Sequence, residues 1–527
     1  MTAWIRVLGL VGCTPGDTPR FRGGGPELAV PDVGGLPLAR VLTAELDRPA
    51  ALVVAIDDAR GPRTLTFPVS ERHSVPLVGF LPGDLVDLTL TAVVEGAGRS
   101  DPVSLSFRAG ELPDPFPVFD VLTHDAARAA PGLLLFPVDQ GGDGGGAATS
   151  RLVALDEGSR VVWTWAPPIQ FGDVRLIDGA LVGVAEGTAW KVDLAGRAEV
   201  EWGAWRDDRL HPAQWRRVDA LAMNHELFPL ADGGFLTLSP QTRTVPDYPC
   251  SYDAPTAPCG DAAIEDPHLI EFDAGGDLVR DWSIASALSP TRIGFDSLTT
   301  QADGDADWGH ANAVVDLSGG GVLVSVRHQD ALVAFDPDGS IRWILGDPAG
   351  WPPSFDGLLL EPLGARWPYH MHGPSFDPDG TLWVFDNGNY GHTPYGPATG
   401  APERSRVVGY TVDAQAGTVT ESAVRSLTTT GELFSSALGN AAALGETGDV
   451  LGVYGRLEAE GSTENTALGW GAEAARLVEW DADGEVVRDV RVRSDWVDGP
   501  SGWRVYRASH APSLYAPGIE AWDDAPQ

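Results

Sequence analysis

The chain has 527 residues, 43% of them apolar, enough to bury a large core and to form more than one domain. Its formal net charge is -38, from 36 Lys and Arg against 74 Asp and Glu. No basic cluster interrupts that excess, which excludes nucleic acid and an anionic membrane surface as partners, since both need a basic footprint. Lys191 is the only lysine and is followed by Val192, so a Walker A loop is excluded too.

At the amino terminus "MTAWIRVLGLVGCTPGDTPR" carries one charge, a short apolar stretch, then Leu10-Val11-Gly12-Cys13 and a polar tail. Small residues before a Cys suit cleavage and lipid attachment, and such a lipid anchors a chain without spanning the membrane. Residues 1–13 are read as a lipoprotein-type signal ending at a lipidated Cys13, and 14–25 as a linker. The expectation is an exported protein, periplasmic or at the cell surface, that touches the membrane only through this anchor. No later run approaches the length of a span.

From 26 to 112 the alternating runs "ALVVAID", "RTLTFPV" and "LVDLTLTAVV", broken by Pro and Gly, predict a small β-sandwich. The Pro-rich "GELPDPFPVFD" predicts the junction. Beyond it, over 113–527, one unit recurs six times: a Gly-led apolar strand, then a hairpin whose first strand ends in Asp or shortly before it. The Gly-led strands are "PGLLLFPV", "DGALVGVA", "GGFLTLSP", "GGGVLVSV", "DGTLWVFD" and "TGDVLGVY". The hairpins turn at Asp156, Asp193, Asp273, Asp336, Asp413 and Asp481, as in "LVALDEGSRVVWTW" and "LVAFDPDGSIRWIL". Six such units predict an all-β chain built as a six-bladed β-propeller, which repeats this unit without long open edges.

Uneven spacing of the turns predicts long insertions. One of them, "DYPCSYDAPTAPCGD", holds Cys250 and Cys259, whose spacing suits a short disulfide in an oxidising compartment. Zinc would need further Cys or His ligands nearby, and His268 alone does not supply them. "DGDAD" from Asp303 and "DPDG" from Asp336 do not complete a calcium loop and read as acidic turns. No metal and no cofactor is expected.

Four units carry a polar residue about eight positions before the Gly: His225, His310, His372 and Asn440. First strands of propeller blades line the central channel, so these positions are expected to converge. Arg327 ends the strand after His310. Histidine, asparagine and arginine gathered in so acidic a chain make a local anion site, suited to a sulfate or phosphate monoester, with imidazole as nucleophile or general acid. Trp308, Trp367, Tyr369 and Tyr390 either stack on an aryl ring or pack in the propeller.

The stretches "NHELFPLADGGFLTL", "HANAVVDLSGGGVLVSVR", "DGSIRWILG" and "HGPSFDPDGTLWVFDNGNYG" resemble the bacterial arylsulfotransferases. The resemblance runs from about residue 113 to the end, and the leading β domain is similar in placement to theirs. It implies a six-bladed propeller that moves a sulfuryl group from an aryl sulfate donor to a phenolic acceptor through a sulfohistidine. His372 falls on the family's nucleophile. His225, His310 and Arg327 fall on residues that hold the sulfate oxygens and assist the leaving phenolate, and Asn312 on a supporting polar position. The family usually has Gln where this chain has Met371. Two readings of other classes stand beside this one. A non-catalytic propeller scaffold would not need the histidines, and a quinone-dependent oxidoreductase is suggested by "FDPDGSIRW" but usually has more blades.

Overall fold

The computed structural model describes residues 18–140, 149–185, 187–204, 213–398, 403–427, 433–445, 447–457, 474–494 and 502–522. Cys13 and its apolar leader lie outside them. The described residues are almost entirely β, and six sheets stand around a common axis as the blades of a propeller. At most of these turns the Asp side chain closes the loop itself, as at Asp156, Asp413 and Asp481. Asp193 Oδ1 accepts from the backbone N–H of Ala195 and Arg197, and Asp273 Oδ1 from Gly275 and Asp277, all at 2.9 Å. Such Asp side chains mimic a backbone turn.

The ring is closed twice. Val118–His124 adds an outer strand to the last blade, pairing with Val486–Arg493. The inner edge of the first blade, Leu133–Gln140, is filled by the end of the chain, with Trp503–Val505 and Ser509–Ala511 both antiparallel to it. The first repeated unit therefore has no inner strand of its own upstream. The chain then leaves the propeller, and Glu520–Trp522 pairs with Arg63–Leu77 of the amino-terminal region.

That amino-terminal region is a β unit whose strands form one antiparallel network around the 18-residue strand Arg40–Asp57, which changes register between Glu45 and Leu52. Its buried Leu52, Val54, Leu65, Leu88 and Leu90 join the same apolar cluster as Leu134, Phe136, Val153 and Trp163 of the first blade. At about 25 cal/mol per Å2, this shared apolar burial is what fastens the unit to the ring.

The insertion in the third blade is ordered as a long hairpin, Phe235–Pro249 against Pro258–Phe272, with the Cys250–Cys259 disulfide at its tip and Cα atoms 5.8 Å apart. The hairpin is a splint for the loop over 295–308. Tyr248 donates its hydroxyl to the Ser297 carbonyl (3.0 Å), the Leu298 N–H donates to Tyr252 Oη (3.1 Å), and Glu265 N–H donates to the Ala306 carbonyl (2.8 Å). Asp296 and Asp307, on that loop, reach the hub of the ring.

Two predictions follow from this splint. Replacing both cysteines by Ser releases a closed loop of nine residues' separation, worth about 2–3 kcal/mol in the chain-entropy account. Amide exchange over the hairpin tip should rise roughly tenfold to a hundredfold, while the blade strands stay protected; unchanged exchange at the tip would refute the splint. Burial, reinforced by the Asp307 charge, raises Glu265 to about 7. The folded chain then keeps a proton that the unfolded chain loses from about pH 4.3 upward, so stability falls with rising pH across that window and is flat above it. Glu265→Gln should be neutral at the acidic end of the window and stabilising above it, measured by urea unfolding; identical pH slopes in the two proteins would sink the assignment.

Candidate functional site

Histidine side chains reach the hub because the backbone is turned where the inner strands begin. His225, His310, His370 and Leu438 all adopt left-handed conformations, with φ of 63°, 46°, 54° and 64°. Strand register shifts follow after Asn224, Ala311 and His372. A left-handed residue followed by a bulge re-aims the side chains beside it, and His accepts that conformation far better than a β-branched residue does. By this marker the counterpart of His225 and His310 in the fifth blade is His370. His372 stands two residues further on, where the fourth and sixth blades have Asn312 and Asn440.

The result is a cavity of about 400 Å3 lined by His225, His310, Arg327, His328, His372 and Tyr506, among others. Of the residues expected from sequence, it brings together the three histidines and Arg327. The His225 and His310 rings lie 5.0 Å apart, and His310 stacks on His328 at 4.7 Å.

His372 is buried, with Nδ1 2.7 Å from Asn387 Oδ1. The Asn387 amide donates to two carbonyls, Ser435 (2.7 Å) and Leu438 (3.1 Å), so its oxygen must face the imidazole. The His372 proton is thereby fixed on Nδ1, and Nε2 keeps a bare lone pair. Burial, then the Arg327 charge, holds this imidazole well below its ordinary pKa, so it is neutral around pH 7.

The other rings are tied differently. His310 Nδ1 is 2.7 Å from Asp307 Oδ2. Burial works against the Asp307 charge, but His310, His328 and Arg327 outweigh it and hold the carboxyl below the usual range. His225 Nδ1 meets the Tyr506 hydroxyl at 2.7 Å, and burial, then His310, depresses its pKa. His328 donates from Nδ1 to the Asp307 carbonyl (2.7 Å) and accepts at Nε2 from Arg327 Nη1 (2.6 Å). Arg327 also reaches the Ser436 carbonyl through Nη2 at 3.3 Å. Burial opposes a charge on His370, yet Asp330 and Asp296 keep its pKa above the ordinary value.

The remaining expected residues lie elsewhere. Asn312 is wholly buried and donates to the Met371 carbonyl at 2.9 Å; Met371 itself packs in the apolar core between blades. Asn440 clamps Ala508 through two 3.0 Å hydrogen bonds and lines a second cavity of about 630 Å3 in the channel. Trp308 is fully buried with its N–H donated to the Arg292 carbonyl. Tyr369 donates to Asp347 (3.2 Å) and lines a separate cavity with Trp367. Tyr390 donates to Asp296 (2.9 Å) and stacks on Phe295 at 4.3 Å, beside the hub.

Sequence reasoning missed Asn387, Tyr506, Asp296, Asp307, His328 and His370. The last two were visible as second polar positions in "RHQD" and "YHMH". A neutral nucleophilic nitrogen, a guanidinium and two further imidazoles around one cavity form a set that can pass an anionic group to and from a histidine.

Among curated proteins none matches the sequence significantly. Solved structures that align with it include a protein of unknown function from Bacteroides caccae, 11% identical, covering 72% of this chain and 98% of that one with a TM-score of 0.38. A luciferin-regenerating enzyme is 11% identical over 72% of this chain and 95% of that one, with a TM-score of 0.33. A streptogramin B lyase is 9% identical over 72% and 98%, with a TM-score of 0.29. These similarities are too weak to bear on function. The family model for arylsulfotransferase (ASST) matches residues 120–503, from the outer closing strand through every blade to the start of the inner closing segment. A match of that extent is more than any local motif supplies, and the chain belongs to the arylsulfotransferase (ASST) family.

Proposed function

We propose that the chain moves a sulfuryl group from an aryl sulfate to a phenol by a ping-pong route through His372. The observation that carries this reading is the Asn387 contact, which leaves His372 Nε2 unprotonated in a cavity beside Arg327. In the first half-reaction the Nε2 lone pair attacks sulfur as the sulfur–aryloxy bond breaks. Arg327 faces the equatorial oxygens, and the departing phenolate takes a proton from Nε2 of His310, whose Nδ1 proton stays hydrogen-bonded to Asp307. The adduct keeps its Nδ1 proton on Asn387. In the second half-reaction an acceptor phenol gives its proton back to His310 and attacks sulfur, and the nitrogen–sulfur bond breaks. Donor and acceptor between them supply every atom, so no nucleotide sulfate is required.

Tyr390 and Phe295 offer an aromatic wall for the aryl ring. We also read the chain as exported, a reading supported by the Cys250–Cys259 disulfide, which persists in oxidising compartments.

A chromogenic aryl sulfate, with and without a phenol, tests the proposal. Wild type should release one burst equivalent of phenol without acceptor and turn over with it, and His372→Ala should do neither. Arg327→Ala should slow transfer about a hundredfold or more while still forming the adduct, because it loses one oxyanion donor and not the nucleophile. Transfer by the His372 variant, or an adduct mapped by mass spectrometry to another residue, would overturn the route. Absence of turnover in wild type with every aryl sulfate would favour a non-catalytic propeller.

A further inference from the structure

Three residues around Arg327 have no chemical part in sulfuryl transfer. Asp296, His328 and His370 each offer one ligand atom, and these atoms lie within 4.8 Å of one another. Donors about 2.0–2.2 Å from a tetrahedral zinc-like ion stand about 3.3–3.6 Å apart, so the cluster closes by up to about an ångström around an ion. Asp296 Oδ2 is already 3.3 Å from His370 Nε2.

The ring orientations are those of metal ligands. His328 uses Nδ1 to donate to the Asp307 carbonyl (2.7 Å), and His370 uses Nδ1 on Asp330 Oδ1 (2.8 Å). Both Nε2 atoms are thereby turned toward the cluster, the arrangement by which outer partners orient ligating imidazoles. The other Asp296 oxygen accepts from Tyr390 at 2.9 Å. His370 is wholly buried, and its Nε2 has no hydrogen-bond partner among the described residues. A carboxylate oxygen and a ring nitrogen so placed need a proton or a cation between them. In the neighbouring group Asp307, His310 and His328, the Nδ1 atoms of both histidines are already partnered by Asp307.

One cation stands in the cradle now. Arg327 Nη1 is 2.6 Å from His328 Nε2 and 3.4 Å from Asp296 Oδ2, so a metal ion there must displace it. We propose that Asp296, His328 and His370 form a site for a divalent first-row metal ion such as Zn2+ or Co2+, occupied in exclusion of the Arg327 guanidinium. Two imidazoles and one carboxylate, with positions left open, suit that class of ion. The ion replaces any proton held between His370 and Asp296, and that proton goes to solvent. The site stands on this geometry alone and does not depend on the transferase reading.

The test is a titration of the full chain, free of any polyhistidine tag and stripped by chelator, with Co2+ followed by its visible absorption and Zn2+ by competition with a chromophoric chelator. Wild type should bind one equivalent with micromolar affinity or better. His370→Gln and Asp296→Asn should each weaken binding about a hundredfold, and Arg327→Met should tighten it about tenfold or more by removing the competing cation. His124→Gln, an exposed histidine on the outer closing strand, should change nothing. Near-ultraviolet circular dichroism checks that each variant is folded, and the partly exposed Asp296 provides a second ligand variant should His370→Gln fail that check. A wild type that takes up no metal, binding that survives loss of either ligand, or an Arg327→Met affinity equal to wild type would each overturn the proposal.

Discussion

The hub exists because Trp503–Val505 and Ser509–Ala511 pair with the first blade. They cover the inner edge of Leu133–Gln140; without them the ring would be unclosed and an edge strand exposed. The link between those two short strands bears Tyr506, Arg507 and Ala508. Tyr506 holds His225, Arg507 pairs with Glu226 at 2.9 Å, and Ala508 is clamped by Asn440. Closure and assembly of the site are therefore one event.

The same segment divides the channel. Glu226 is held by Arg507 and Arg175 and accepts the Val314 N–H at 2.9 Å, and Arg507 also donates to the Asn312 carbonyl. Buried charges such as these contribute little net stability, but removing one partner leaves the rest uncompensated. Their position explains why adjacent residues face different cavities: His225 and Tyr506 look to the histidine side, Glu226 and Arg507 to the other. The charged layer separates the histidine cavity from the second cavity in the channel.

The repeat was legible because every blade places an Asp at the same turn, and the apolar strands on either side need no tertiary context to be seen. Convergence of His225, His310 and His372 followed from the repeat. Their relative register did not, because the left-handed residue and the bulge after it shift the fifth blade by two positions, and nothing in composition announces a positive φ at His370. Asn440 was expected in the site on the same register and instead clamps the closing strand. Trp308 could have served either as an aryl-stacking wall or as propeller packing, and indole burial at the base of the loop over 295–308 prevailed. Tyr506 left no signal at all, since only ring closure brings it beside His225, and Asn387 took its meaning from two carbonyls of a neighbouring blade.

The pairing that completes the hub joins segments far apart in sequence, Leu133–Gln140 with Trp503–Val505 and Ser509–Ala511. Contacts of such separation form late in folding, because closing a long loop costs entropy before the contact offsets it. Until that pairing forms, Tyr506 is away from His225, so the histidine cavity is among the last parts of the ring to take its shape.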